Sequence, residues 1–256
     1  MKILLSISLV MVLTYGFQKA LRRRIQHRSS KVFFESSEKD DFYDSFSVID
    51  KVLFNRFGIS VTNEMKLDSS YRPTTYSQLI EMISSMVRTN PIQISNEMAK
   101  NSLVKLFPRW LLDQYIVMFS KPFPAFSARM NAWVTHWTTN WLMGNSSVYD
   151  LISPNGEIGV QQGLLIEKCR FLEESKCLKT CIHACKIPTQ SFFLENMGLP
   201  VTLSPNTTDY SCKFEFGRQP LPLEEDEISY QSCLDICSNR VSNKKTKRIS
   251  SKLPIC

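Results

Sequence analysis

The chain has 256 residues, enough for one domain or two small ones with a full core. Its 43% hydrophobic and 21% charged residues are those of a globular protein and exclude a disordered or fibrous chain. The net charge of +7 points first to an anionic partner, but residues 1–34 hold seven Lys/Arg and no acidic residue. Taking those seven from the 31 basic residues leaves 24, against 24 acidic ones, so the body is formally neutral and nucleic acid is excluded as a partner.

The first segment reads as a targeting leader, residues 1–34. Ile3 to Phe17 is mostly apolar but shorter than the roughly 20 residues of a membrane span. An arginine cluster, Arg22-Arg23-Arg24, follows it with no small-x-small cleavage site between. Three readings stay open: a plastid transit peptide, a signal followed by a transit segment, or an anchor through residues 3–17 in the secretory pathway or a membrane.

The body divides into a helical region, 41–150, a cysteine-rich region, 151–240, and a basic tail, 241–256. Apolar residues from Phe42 to Phe54 fall at helical spacing. A linker occupies Asp68–Pro73. Thr75 caps a helix to about Arg88 that ends at Asn90-Pro91. Ser95 caps the next, which turns Leu103, Val104, Leu106 and Phe107 inward. Trp110 to Phe119 continues beyond Pro108, and Lys121-Pro122-Phe123-Pro124 breaks the chain. A helix from about Ala125 to Met143 stops at Gly144. Asn155-Gly156 is a turn, and a helix from about Val160 to Ser175 leads into the cysteines. Thr189 to Met197 is helical. Val201-Thr202-Leu203 and Cys212 to Phe216 alternate as strands do. Pro220 to Asp226 is loop, and a last helical turn carries Cys233 and Cys237. The expected fold class is α+β, mainly helical: N-terminal helices, then a cysteine-rich part with a small β element.

Two constellations bear on chemistry. Trp133, Trp137 and Trp141 recur every four residues, as a core seam or as an aromatic wall for a long apolar ligand. The second is the cysteines. All eight lie from Cys169 onward and make up about 9% of the last 88 residues, the density of a disulfide scaffold or a metal site. Cys177, Cys181 and Cys185, if helical, share one face with Cβ atoms about 5–6 Å apart, too far for the pairs to bridge themselves. The row therefore converges on a metal or pairs with cysteines elsewhere, and the spacing alone leaves both open. Soft thiolates suit iron–sulfur clusters, zinc and copper(I). H-E-x-x-H, G-x-S-x-G, P-loop and dinucleotide-binding motifs are absent from the sequence, which removes support for the usual hydrolases, P-loop enzymes and nicotinamide enzymes.

From Cys169 the residues become specific. Cys169-Arg170-Phe171-Leu172-Glu173-Glu174-Ser175-Lys176-Cys177 is followed by Cys181-Ile182-His183-Ala184-Cys185-Lys186-Ile187-Pro188-Thr189-Gln190-Ser191-Phe192-Phe193. Met197-Gly198-Leu199-Pro200, Asp209-Tyr210-Ser211-Cys212 and Phe214-Glu215-Phe216-Gly217 come next, and Cys233-Leu234-Asp235-Ile236-Cys237 closes the series. This order resembles the dwarf twenty-seven family of plastid β-carotene isomerases, which open strigolactone biosynthesis. Lys176 departs from it, standing where a glycine is expected. The resemblance implies an iron-dependent conversion of all-trans-β-carotene to the 9-cis isomer in the plastid, with iron held as a mononuclear non-haem centre or an iron–sulfur cluster. The candidate iron ligands are Cys177, Cys181 and Cys185 foremost, with Cys169, Cys212, Cys233 and Cys237. Phe192, Phe193, Phe214, Phe216 and Trp137 are candidates to line the site of an apolar polyene substrate, with peripheral contact to plastid membranes. Three alternatives remain beside this expectation: a disulfide-stapled binding protein, a zinc-stabilised interaction module, and a paralogue acting on another carotenoid.

Overall fold

Ser47 opens the first helix, α1 (Val48–Glu64), by a reciprocal cap. Its Oγ accepts from the Asp50 N–H at 3.2 Å and the Asp50 carboxylate accepts from the Ser47 N–H at 3.1 Å. The computed structural model describes residues 46–68, 70–152 and 156–230, all within one unit, Asp40–Cys256. The leader, residues 41–45, Cys233, Cys237 and the basic tail lie outside the described residues. The capping box moves the helix expected from Phe42 to a start at Val48.

The next helix, α2 (Tyr76–Thr89), is the one read from the sequence, with the Thr75 side chain accepting from the Gln78 N–H. α3 (Ile92–Val104) begins before Ser95 rather than at it. Ser95 is buried inside the helix, and its hydroxyl donates to the Met86 and Pro91 carbonyls instead of capping. α4 (Arg109–Tyr115) runs on into a wider π-helical turn, Ile116–Ser120, in which the Lys121 N–H reaches back to Ile116 O.

The long helix expected from Ala125 to Met143 is two helices, α5 (Pro124–Thr138) and α6 (Asn140–Met143). Thr139 leaves helical geometry at φ −114°, ψ 3°, and its hydroxyl bonds the Thr135 carbonyl at 2.6 Å. The tryptophan row is broken by this bend. Trp141 turns into the core against Phe54 and Phe57, while Trp137 is 66% exposed. Gly144, at φ +91°, ends α6 as its sequence position suggests.

The helix expected over Val160–Ser175 is mostly strand. β1 (Ser146–Ile152) and β2 (Ile158–Ile166) form an antiparallel pair, and only Arg170–Ser175 is helical, α7. Leu164-Leu165-Ile166 is a continuous apolar run in β2, a central strand of the sheet, with Leu164 and Ile166 fully buried. Gly163 stands opposite Tyr149, where a Cβ would lie 2.5 Å from the tyrosine ring. β3 (Val201–Pro205) and β4 (Cys212–Phe216) complete a four-stranded antiparallel sheet of order β1-β2-β4-β3. The mainly helical α+β class holds, with the β part twice the size expected.

A single helical path then runs from α8 (Leu178–Thr180), through a second π turn, Cys181–Lys186, into α9 (Ile187–Met197). Pro188 explains the wide turn. It has no N–H to offer the Ala184 carbonyl and its ring crowds that position, so the chain there bonds five residues back, Ile187 N–H to Ile182 O. The core joins Phe54, Leu79 and Met86 of the first helices to Leu164, Leu172 and Phe214 of the second half in one cluster.

Lys176 ends α7 in left-handed geometry, φ 49°, ψ 27°. That is the position where glycine is expected, and a side chain there costs about 1 kcal/mol that glycine does not. Lys176→Gly is expected to stabilise the protein by up to about 0.5 kcal/mol, the strain relief slightly exceeding the added chain entropy, measured as a raised urea midpoint.

Candidate functional site

Four cysteines from three separated segments line one cavity. Cys169 caps α7, Cys181 and Cys185 lie in the second π turn, and Cys212 opens β4. The pieces are tied together by backbone: Cys169 N–H donates to Tyr210 O at 2.7 Å, and Ile166 of β2 stands opposite Cys212. The cavity, of about 10 Å³, is closed otherwise by Lys186 and by apolar side chains, Met143, Leu172, Leu203 and Phe214 among them. None of these four cysteines is in a disulfide.

A second apolar cavity, of about 40 Å³, adjoins it. Phe57, Ile83, Met86 and Phe171 line that space, and Met143 and Cys185 line both. Either volume holds a few water molecules at most. A long polyene fits neither as they stand.

The thiols are held protonated by their surroundings. Burial pushes Cys181 and Cys212 well above the ordinary thiol value, and each is raised further by the other sulfurs. Burial likewise carries Cys185 to about 12, and Cys169 upward. The opposing charge is Lys186, whose ammonium favours ionisation of Cys181 and Cys212. Lys186 lines the cavity and is buried, donating to the Leu203 carbonyl at 2.6 Å and to Asp226 Oδ2 at 2.5 Å. Sequence reading passed over it, because a lysine in a helix is ordinarily a surface residue. Its one signal was its place directly after Cys185.

The donor set fits iron in chemistry: four soft sulfurs, water-excluded, beside one cation. No three His, Cys, Asp or Glu side chains among the described residues are close enough to hold one ion, so the sulfurs surround a volume rather than a single-ion position. Cys177 is buried but does not line the cavity. It precedes the helix in extended geometry, φ −141°, ψ 110°, and so leaves the row it was expected to share. His183 turns away from the cavity to Asn96, 3.1 Å from Nδ1 to Oδ1.

Of the expected substrate-site aromatics, Phe214 lines the thiol cavity, while Phe192, Phe193 and Phe216 are packed in the core. Their rings are in series, Phe107–Phe192, Phe192–Phe193, Phe193–Phe216 and Phe216–Phe214, with centroids 5.2, 5.3, 5.3 and 6.3 Å apart. Trp137 lines neither cavity.

Residues 141–225 match the family model described as beta-carotene isomerase D27-like, C-terminal. The chain is 29% identical over 220 residues, 86% of its length and 78% of the relative's, to the chloroplastic beta-carotene isomerase D27 of Arabidopsis thaliana. It is 37% identical over 111 residues, 43% of its length and 42% of the relative's, to the chloroplastic beta-carotene isomerase D27 of Medicago truncatula. Over residues 141–225 the chain is therefore similar to the D27-like C-terminal region. No solved structure matches it. All four cavity cysteines fall inside the residues that the family model matches, as do all four strands; α1 to α5 lie before them.

Proposed function

We propose that this protein is a carotenoid cis/trans isomerase of the plastid, converting all-trans-β-carotene to its 9-cis isomer as a step toward strigolactones, with iron held by Cys169, Cys181, Cys185 and Cys212. One observation carries the reading: four thiols from three segments of the family-matched region line one dry cavity. The two relatives named as chloroplastic β-carotene isomerases support the reaction and the compartment.

Each part of the chain has a separate task in this reading. Rotation about a polyene double bond changes neither oxidation state nor proton count, so no general acid or base is needed. Thiolate-bound iron, when present, supplies one-electron exchange, which lowers the order of a double bond and lets it rotate. Lys186 offsets the negative charge of the Cys181 and Cys212 thiolates that such binding requires. Leu172, Leu203 and Phe214 keep water from the sulfurs. Met143, unbranched and common to both cavities, is the side chain whose displacement would join them and bring an apolar ligand to Cys185.

The test is iron content, visible spectrum and turnover of anaerobically purified protein. Stoichiometric iron, charge-transfer absorption, and formation of 9-cis-β-carotene from the all-trans isomer are expected. All three should be lost in Cys181→Ser and Cys212→Ser and kept in Cys177→Ser. Iron binding and turnover unchanged in both cavity variants would overturn the assignment of the ligands. Iron-free wild-type protein that still isomerises would overturn the cofactor.

A further inference from the structure

The outer face of α5 is built the wrong way round for a helix in water. Its buried side is small and polar: Ser127, Ala128, Asn131, Ala132 and Thr135. Its outer side carries Phe126, Val134 and Trp137, at i, i+8 and i+11, all exposed, flanked by half-buried Met130, which packs against the core, and half-buried Trp133, whose Nε1 donates to Gln161 Oε1 at 3.1 Å. A surface helix normally turns the apolar stripe inward.

The inward side explains how the helix can sit this way. Small residues let α5 lie close on β2, and its polar groups are satisfied within the fold. Asn131 Nδ2 donates to the Tyr115 hydroxyl at 2.7 Å, and Ser127 Oγ lies 3.0 Å from that hydroxyl and 3.2 Å from Ser120 Oγ. These contacts fix α5 against α4 and the first π turn. That element extends the apolar surface, with Trp110 58% and Val117 64% exposed and Phe123 exposed at the bend.

The charges along this hairpin are one-sided. Residues 109–138 hold Arg109, Lys121 and Arg129 against a single acid, Asp113. All three cations are exposed, and none is ion-paired among the described residues. No helix among the described residues is long and apolar enough to cross a membrane. An aromatic stripe bordered by unpaired cations on a helix too short to span is the composition of an element that lies in a bilayer interface.

We infer that the α4–π–α5 hairpin docks in the plane of an anionic lipid bilayer, with Trp110, Val117, Phe126 and Trp137 at the acyl boundary and Arg109, Lys121 and Arg129 on the headgroups. Neither the inverted helix nor its cations depend on the reaction proposed above. The two do fit together, since a polyene hydrocarbon dissolves in lipid and neither of the two cavities described above is large enough to hold it.

Residues 3–17 could bind vesicles by themselves, so the test must read the hairpin locally. Full-length protein is mixed with phosphatidylcholine vesicles containing phosphatidylglycerol, with and without bromine-labelled acyl chains, and tryptophan emission is recorded. A blue shift and quenching by the bromolipid are expected. Both should disappear in Trp110→Phe/Trp137→Phe and in Val117→Glu/Phe126→Glu, the latter variant keeping its unfolding midpoint because both sites are exposed. Charge reversal at Arg109, Lys121 or Arg129 should weaken partitioning by at least about fivefold per site, and salt should weaken it too. Three results overturn the inference. One is vesicle binding with Trp110 and Trp137 unquenched, which assigns binding to the leader. Another is emission already blue without vesicles, or a concentration-dependent dimer in sedimentation, which assigns the face to this chain or a second copy. The third is equal binding to neutral vesicles, unaffected by charge reversal.

Discussion

Replacing Lys186 by Met is expected to destabilise the protein by about 3 kcal/mol, read as a lowered urea midpoint at unchanged m-value. The lysine side chain is 3% exposed and its partner Asp226 14%. Methionine has the right length and apolar bulk, so packing is kept and the polar loss is isolated. What remains is the Leu203 carbonyl without its donor and a largely buried carboxylate that has lost the Lys186 ammonium. Breaking one side of a buried pair costs about 3–5 kcal/mol, and the residual water access of Asp226 places this pair at the lower end. Asp226→Asn should cost less, because the amide oxygen still accepts from Lys186 while Leu203 stays satisfied. The contact has a wider reach than its energy suggests. Lys186 belongs to the π turn, Leu203 to β3 and Asp226 to the loop beyond β4, so one ammonium joins three segments around the thiols. Lys186→Met should therefore also weaken iron retention, since Cys181 and Cys212 lose the one charge that favours their thiolates. A midpoint within about 0.5 kcal/mol of wild type would show that the pair contributes nothing in solution.

Where local chemistry decides the chain, the sequence was readable. Thr75 caps α2, Gly144 stops α6, and Gly198, at φ +61°, ends α9. Where neighbours in space decide, it was not. Val160 to Ile166 carries no alternation, since Gln161-Gln162-Gly163 interrupts it and Leu164-Leu165-Ile166 is apolar throughout, and so short an apolar run is indistinguishable from a helix by periodicity. The bend at Thr139 has no glycine or proline to announce it. Its signal was Thr138-Thr139-Asn140, three residues whose side chains compete for backbone partners, and Thr138 and Thr139 both bond carbonyls four residues back. The candidate site divides in the same way. The i, i+4 spacing of Cys181 and Cys185 was visible, while the arrival of Cys169 and Cys212 depends on β2–β4 pairing and on the Cys169–Tyr210 hydrogen bond, which no spacing encodes.

His183, the one histidine among these cysteines, should make the fold acid-sensitive. It is 4% exposed, and burial, with the nearby Lys179 ammonium second, lowers its pKa to about 4. Its partner is the acceptor oxygen of Asn96, so Nδ1 carries the proton and the ring is neutral. In the unfolded chain histidine titrates near 6.5. Between those values the unfolded state binds one more proton than the folded state. Stability from this group is therefore complete above about pH 6.5 and falls as the pH is lowered toward 4, by about 3 kcal/mol in all. Carboxylates titrate over part of the same range, so the measurement is a difference: urea midpoints from pH 7 to 4 for wild type and for His183→Gln, which keeps a donor for Asn96 and cannot ionise. The wild-type curve should fall away from the variant's by up to one proton per molecule between about pH 6 and 4.5. Parallel curves would mean that His183 reaches water in the folded state, and with it the π turn that carries Cys181 and Cys185. A divergence would mean that the turn holding two of the four thiols is closed to water and that charging His183 is paid for in the stability of the fold around it.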